Sequence, residues 1–195
     1  MVPSSTPALV LASASPRRQE LLARLGIPFT VQPSRIPEIH PPGPHAQAVA
    51  AVALDKARAV ASRWTAGAAI VLGADTEVVL EGRYLGKPRD AADAIRMLHE
   101  LSGRTHEVIT GVALVAAPSG REETAAVTTL VTMVTASDEE IAAYVATGEP
   151  LDKAGAYAVQ GLGARLVGHV DGCLTNVIGL PVETTRRLLA RCGLL

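Results

Sequence analysis

The chain has 195 residues, 48% of them apolar and 19% charged, with a formal net charge of -1 at pH 7. That is ample for one continuous core, so a single globular domain over residues 1–195 is expected, while the near-neutral balance argues against the basic field that holds a nucleic-acid backbone. The two cysteines, Cys173 and Cys192, stand in no CxxC spacing; neither a disulfide framework nor a structural zinc site is indicated, which fits a reducing cytoplasm.

The opening segment MVPSSTPALVLASASPRR has an apolar run too short to span a bilayer and lacks the basic start of a secretory signal, so a cytoplasmic protein without membrane contact is expected. Residues 8–13 read as a short buried strand. Ser15 then offers an N-cap with Pro16 at the first helical position, and a helix to about residue 25 puts Leu21, Leu22 and Leu25 on one face before Gly26 ends it. An irregular proline-rich stretch (PSRIPEIHPPGP) precedes a second helix over about 46–64, striped by Val49, Ala53, Ala57, Val60 and Trp64. Residues 70–72 are apolar on both faces, as in a central strand, and run into Gly73, Ala74 and Asp75 before residues 78–80 resume; EGRY reads as a turn. Asp90 with Asp93 marks a helix start, and the helix should end near Ser102-Gly103. Residues 108–116 and 126–135 look like paired strands, and Ser137 with Glu140 forms a capping-box pattern for a helix to about 147. A glycine-rich turn (QGLG), a strand near 165–170, a DG turn and a final helix over about 181–191 complete a mixed α/β order.

SASPRR is the first segment with chemical content. A helix N-terminus presents free N–H groups and a partial positive charge, so the cations Arg17 and Arg18 in the first turn oppose the helix dipole unless an anion is expected there. Pairing with Glu20 is the structural alternative. Asp75 is the second, a carboxylate delivered by an apolar strand in GADT, and Glu38 in the proline-rich loop supplies another; two carboxylates plus phosphate oxygens suit a divalent cation. Lys87, in LGKPRD, is kept extended by the following proline and is free to reach a phosphate. By default Lys56 on AVALDKARAV is a solvated lysine. GRYLGKP lacks the spacing of a phosphate-binding P-loop, GLGARL has leucine where a dinucleotide fold needs its third glycine, and the five histidines show no paired metal spacing.

Taken in order, LASASPRRQELLARLGIPF, LGADTEVVLEGRYLGKPRDAADAIRMLHELSGRTHEVITGVAL, EPLDKAGAYAVQG and VIGLPVETTRRLL resemble the Maf family of nucleotide pyrophosphatases over nearly the whole chain. The resemblance implies a mixed twisted sheet flanked by helices, with two lobes around a central cleft, related in plan to inosine triphosphate pyrophosphatases. It implies Asp75 as proton acceptor, Glu38 and Asp75 around a divalent metal (Mg²⁺ or Mn²⁺), and Arg17, Arg18, Lys56 and Lys87 around the phosphates. Ser13 and Lys153 are further pocket residues. The loop around Glu38 departs most from the family, being richer in proline. Arg17, Thr76 and Gln160 match the branch acting on dTTP and UTP; the branch acting on methylated guanine nucleotides has an aromatic in place of Arg17 and an acid in place of Gln160. A glutamine amide offers an acceptor and a donor to the uracil edge. The implied partner is a nucleoside triphosphate; homodimers are common in the family, although no apolar stripe here demands one. The alternatives are a nucleotide-binding regulator of cell division without catalysis and a phosphatase releasing orthophosphate.

Overall fold

A computed structural model of the chain describes residues 7–195; residues 1–6, part of the opening segment read above, lie outside it. Strand β1 (Ala8–Leu11) leads into helix α1 (Pro16–Ala23), strand β2 (Phe29–Val31), helix α2 (His45–Ala61) and the long strand β3 (Ala69–Leu80). A short strand β4 (Arg83–Tyr84) folds back antiparallel on β3, followed by helix α3 (Ala91–Leu101) and strands β5 (Thr105–Ala117) and β6 (Glu122–Met133). Helix α4 (Asp138–Val145), three short 3-10 turns, strand β7 (Val167–Asp171) and helices α5 (Leu174–Ile178) and α6 (Val182–Arg191) complete the chain. The strands form one seven-stranded sheet, β2-β1-β3-β5-β6-β7 with β4 beside β3, flanked by helices as expected. Pairing is parallel among β2, β1 and β3 and antiparallel between β6 and β7.

The described residues group into two compact units, one holding the chain up to Asp75 with Thr110–Val127 and Gly179–Leu195, the other Thr76–Ile109 and Thr128–Ile178. The chain passes from one to the other within β3, β5 and β6, so neither unit is a continuous stretch of sequence.

In the first unit, Val10, Ala12, Val71, Ala113 and Val115 of the strands pack on Ala53, Ala57 and Val60 of α2. Alanines let the helix approach closely, and Gly73 is the matching concession on β3. A Cβ there would lie 2.1 Å from the Ala53 carbonyl oxygen and 2.8 Å from the Ala57 nitrogen. The sequence reading broke β3 at Gly73-Ala74-Asp75; the strand in fact runs through, because the glycine serves helix contact rather than a turn. It also passed over β2, whose three residues lie between Pro28 and Pro33 and take their order from β1 alongside. Gly26 ends α1 with φ of 71°, as read. Ser15 occupies the N-cap position of α1 but makes no side-chain cap.

The second unit has its own core, in which Val78, Leu80, Met97, Leu98, Leu101, Val131, Ile141 and Tyr144 are buried together. Its helix starts are those read from sequence: the Asp90 carboxylate accepts from the Asp93 N–H at 2.8 Å, and Ser137 with Glu140 closes a capping box. Among the described residues no helix is long and apolar enough to cross a membrane.

His106 of β5 is buried in this unit, with its ring edge-on to Tyr157 and its Nε2 2.7 Å from the Tyr157 hydroxyl. Its Nδ1 has no hydrogen-bond partner among the described residues. Burial lowers its pKa to about 4, against about 6.5 in the unfolded chain. Between those two values the unfolded state binds a proton that the folded state refuses, so stability falls as pH drops through that window. Urea unfolding at pH 5 should show about 2 kcal/mol less stability from this group than at pH 8. A His106→Gln variant should lack that share of the pH dependence; an unchanged slope in the variant would place the acid sensitivity elsewhere.

Candidate active site

Strand alternation puts Gly73, Asp75 and Glu77 of β3 on one face and Thr76 on the other. The face carrying Gly73 is the one against α2, and the close helix approach brings Lys56 to Asp75. Lys56 lies three residues after Ala53 and seven after Val49, so it belongs to the buried stripe of α2 and is only 5% exposed. The default of a solvated lysine is therefore corrected: the helical period that marked Val49, Ala53, Ala57 and Val60 also ran through position 56.

The Lys56 ammonium donates to Asp75 Oδ1 at 2.7 Å and to Glu38 Oε1 at 2.6 Å, so the two acids singled out from the sequence converge on one nitrogen. Asp75 is 2% exposed, whereas the Glu38 side chain is 43% exposed. The second Asp75 oxygen, Oδ2, lies 2.9 Å from His40 Nε2. Burial alone would raise the pKa of Asp75, but Lys56, the His40 hydrogen bond and the field of Arg18 outweigh it, and the net shift is downward. The carboxylate is thus held ionised, in the form a proton acceptor needs. The cause is local: a buried lysine and a histidine each place a donor on it.

The α1 entry lies in the same unit. Arg18 Nε donates to the Gly179 carbonyl at 2.9 Å and its Nη1 to Ser13 Oγ at 3.2 Å, which sets the guanidinium over the β1–α1 turn. Ser13 is buried, and its hydroxyl also accepts from the Ser15 N–H at 3.3 Å. Arg17 is half-buried in the first turn of α1. Ser13, Arg18, Glu38, Lys56 and Asp75 are thereby linked by hydrogen bonds or by the Arg18 field on Asp75.

Four further candidates fall in the second unit: Thr76, Lys87, Lys153 and Gln160. Thr76 is partly exposed, and Lys87 is exposed in the loop after β4. The Lys153 ammonium donates to Asp152 Oδ1 at 2.6 Å and to the Glu149 carbonyl. The Gly155 N–H donates to the Leu85 carbonyl at 2.7 Å and the Gly86 carbonyl at 3.1 Å, which ties the segment carrying Lys153 to the one carrying Lys87. Gln160 is exposed, immediately before a glycine with φ of 75°.

Sequence reasoning missed two groups. His40 follows Glu38 by two in the proline-rich loop, and Glu77 follows Asp75 by two along β3; in extended chain that spacing returns a side chain to the same face. One ligand atom from each of His40, Asp75 and Glu77 lies within 4.8 Å of the others, a spacing compatible with a metal ion. The signal for Glu77 was the period of two, lost once β3 was broken at Gly73.

Comparison with known proteins gives a consistent picture. A family model described as Maf-like protein matches residues 8–192. A dTTP/UTP pyrophosphatase of Moorella thermoacetica is 60% identical over 186 residues, covering 95% of each chain. One of Myxococcus xanthus is 55% identical over 188 residues, covering 95% of this chain and 93% of its own. One of an Anaeromyxobacter species is 52% identical over 189 residues, covering 95% and 89%.

Proposed function

The chain belongs to the Maf-like protein family, and from that premise we propose that it hydrolyses dTTP and UTP to the nucleoside monophosphate and pyrophosphate. The observation that carries this reading is the buried Asp75 carboxylate, held beside cationic Lys56 and Arg18 in a chain 60% identical to a dTTP/UTP pyrophosphatase. A buried carboxylate among cations beside phosphates is placed to take a proton from an attacking water.

In this reading Arg17 and Arg18 at the start of α1, with Lys56, Lys87 and Lys153, neutralise the phosphates, and charge-assisted contacts of this kind are short and strong. Water attacks the α-phosphorus, the bond from that phosphorus to the bridging oxygen breaks, pyrophosphate leaves, and the water proton passes to Asp75. The oxygen donors of Glu38 and Asp75 suit Mg²⁺ or Mn²⁺: both carboxylates already point at one cationic group, the Lys56 ammonium. Such an ion, when bound, neutralises charge on the phosphate oxygens. His40 and Glu77 stand beside Asp75 and extend the donor set.

Base choice is assigned to Arg17, Thr76 and Gln160. A glutamine amide satisfies the uracil edge, whereas cytosine puts an amino group where a carbonyl belongs and leaves a donor facing a donor. An unsatisfied group of this kind costs about 1–3 kcal/mol, or roughly 5- to 150-fold in kcat/KM. The test is kcat/KM across the common and methylated triphosphates with Mg²⁺ and with Mn²⁺, with products identified. UTP and dTTP should lead, giving monophosphate and pyrophosphate. Orthophosphate as product would indicate a phosphatase, and nucleotide binding without turnover would indicate a regulator.

A further inference from the structure

Gln160 presents a problem that its own side chain does not solve. It is exposed and in extended conformation, so packing does not fix its amide. Selection between two pyrimidine edges nevertheless demands placement to within about 0.5 Å. The main chain on both sides of it, however, is held by two side chains of the second unit. The Tyr144 hydroxyl, on a side chain with no exposure, accepts from the Ala158 N–H at 3.1 Å and donates to Glu149 Oε1 at 2.9 Å. Glu149 in turn accepts from the Gly163 N–H on Oε1 at 2.9 Å and from the Leu162 N–H on Oε2 at 3.1 Å.

We propose that Tyr144 and Glu149 are positioning residues for base selection, a paired clamp that fixes the main chain on both sides of Gln160 and so orients its amide; this rests on reading Gln160 as a base-contacting residue. The clamp grips residues 158, 162 and 163, which flank position 160 in sequence. Its closeness leaves little room for a side chain at the two neighbouring glycines. A Cβ on Gly163 would stand 2.5 Å from the Tyr144 hydroxyl and 2.6 Å from the Ala158 carbonyl oxygen, and one on Gly161 would stand 2.9 Å from Glu149 Oε2. Glu149 is kept as the acceptor the clamp needs: burial would raise its pKa, but the Gly163 and Leu162 N–H groups and the Tyr144 hydroxyl lower it on balance. The Glu149 main-chain carbonyl also accepts from Lys153, so the same residue anchors a second proposed substrate contact.

The experiment compares Tyr144→Phe, Glu149→Gln and Gln160→Ala with the parent enzyme, reading kcat and KM for UTP and CTP together with thermal stability. Tyr144→Phe removes one oxygen and keeps the ring, so it tests the clamp even if Glu149→Gln fails to fold. Both clamp variants should lower the UTP to CTP ratio of kcat/KM by roughly tenfold, mainly through a higher KM for UTP, since a misplaced contact forfeits binding discrimination. In the Tyr144→Phe, Gln160→Ala double variant the ratio should fall no further than in Gln160→Ala, because the clamp acts only through Gln160. A merely structural role would lower the melting temperature and leave the ratio unmoved. If Gln160→Ala lowers the ratio while the folded clamp variants keep it, the positioning role is overturned and the reading of Gln160 stands. If Gln160→Ala keeps it, the reading of Gln160 falls and the clamp proposal with it.

Discussion

Asp75→Asn is expected to keep the fold and lose about 10²- to 10⁴-fold in kcat, the usual cost of removing a general base. The amide has the shape of the carboxylate, so packing on β3 is preserved. Its oxygen can still accept from Lys56, and its NH₂ can face His40 with the imidazole in the other tautomer. Lys56 also retains Glu38 as a counter-charge at 2.6 Å. What the amide cannot do is take a proton from water. Steady-state kinetics on UTP should therefore show kcat and kcat/KM falling together with KM little changed, the pattern of an interaction made in the transition state. Near-normal kcat in a folded Asp75→Asn enzyme would remove Asp75 from the chemistry.

Lys56→Met is expected to be the most destabilising change at the site. Methionine keeps most of the apolar stem between Ala53 and Ala57, so the main loss is the ammonium. Asp75, at 2% exposure, then keeps a buried negative charge without its closest cation. Breaking a buried pair from one side costs about 3–5 kcal/mol, on the order of 10 °C in melting temperature for a chain of this size. Adding Asp75→Asn should recover much of that loss, because the stranded charge is then gone, and the double-mutant cycle should show strong coupling. Additive effects on stability would show that the two residues do not depend on each other for charge compensation. The single and double variants should both be nearly inactive, which separates the stability role of the pair from its catalytic one.

Much of the first unit's candidate site was singled out residue by residue. SASPRR announced a helix start with two cations in the wrong half of the dipole, and GADT announced a carboxylate on an apolar strand; each is a local departure from the default that drew attention to the residue. Asp90, Ser137 and Gly26 were equally local signals, since caps and left-handed ends depend on one turn of chain, and Asp90 and Ser137 cap as read. The expectations that shifted, at β2, at β3 and at Lys56, all concern residues whose state is decided by a partner distant in sequence. Gly73 reads as an interruption of the strand only while α2 is out of view, and Lys56 reads as solvated only while Asp75 is.

The amino-acid sequence by itself determined the α/β class and most of the helices and strands, and it singled out the acids and cations proposed for the chemistry, because hydrophobic period, capping and charge placement act over one or two turns of chain. Only the tertiary structure decided that Glu38 and Asp75 meet on Lys56 while His40 faces the second Asp75 oxygen, that the aspartate is held ionised, and that Tyr144 and Glu149 grip the chain around Gln160. The physical reason is the same in each case: a charge or hydrogen bond acquires its strength from burial and from partners at about 3 Å, and the sequence separation of those partners carries no trace of that distance.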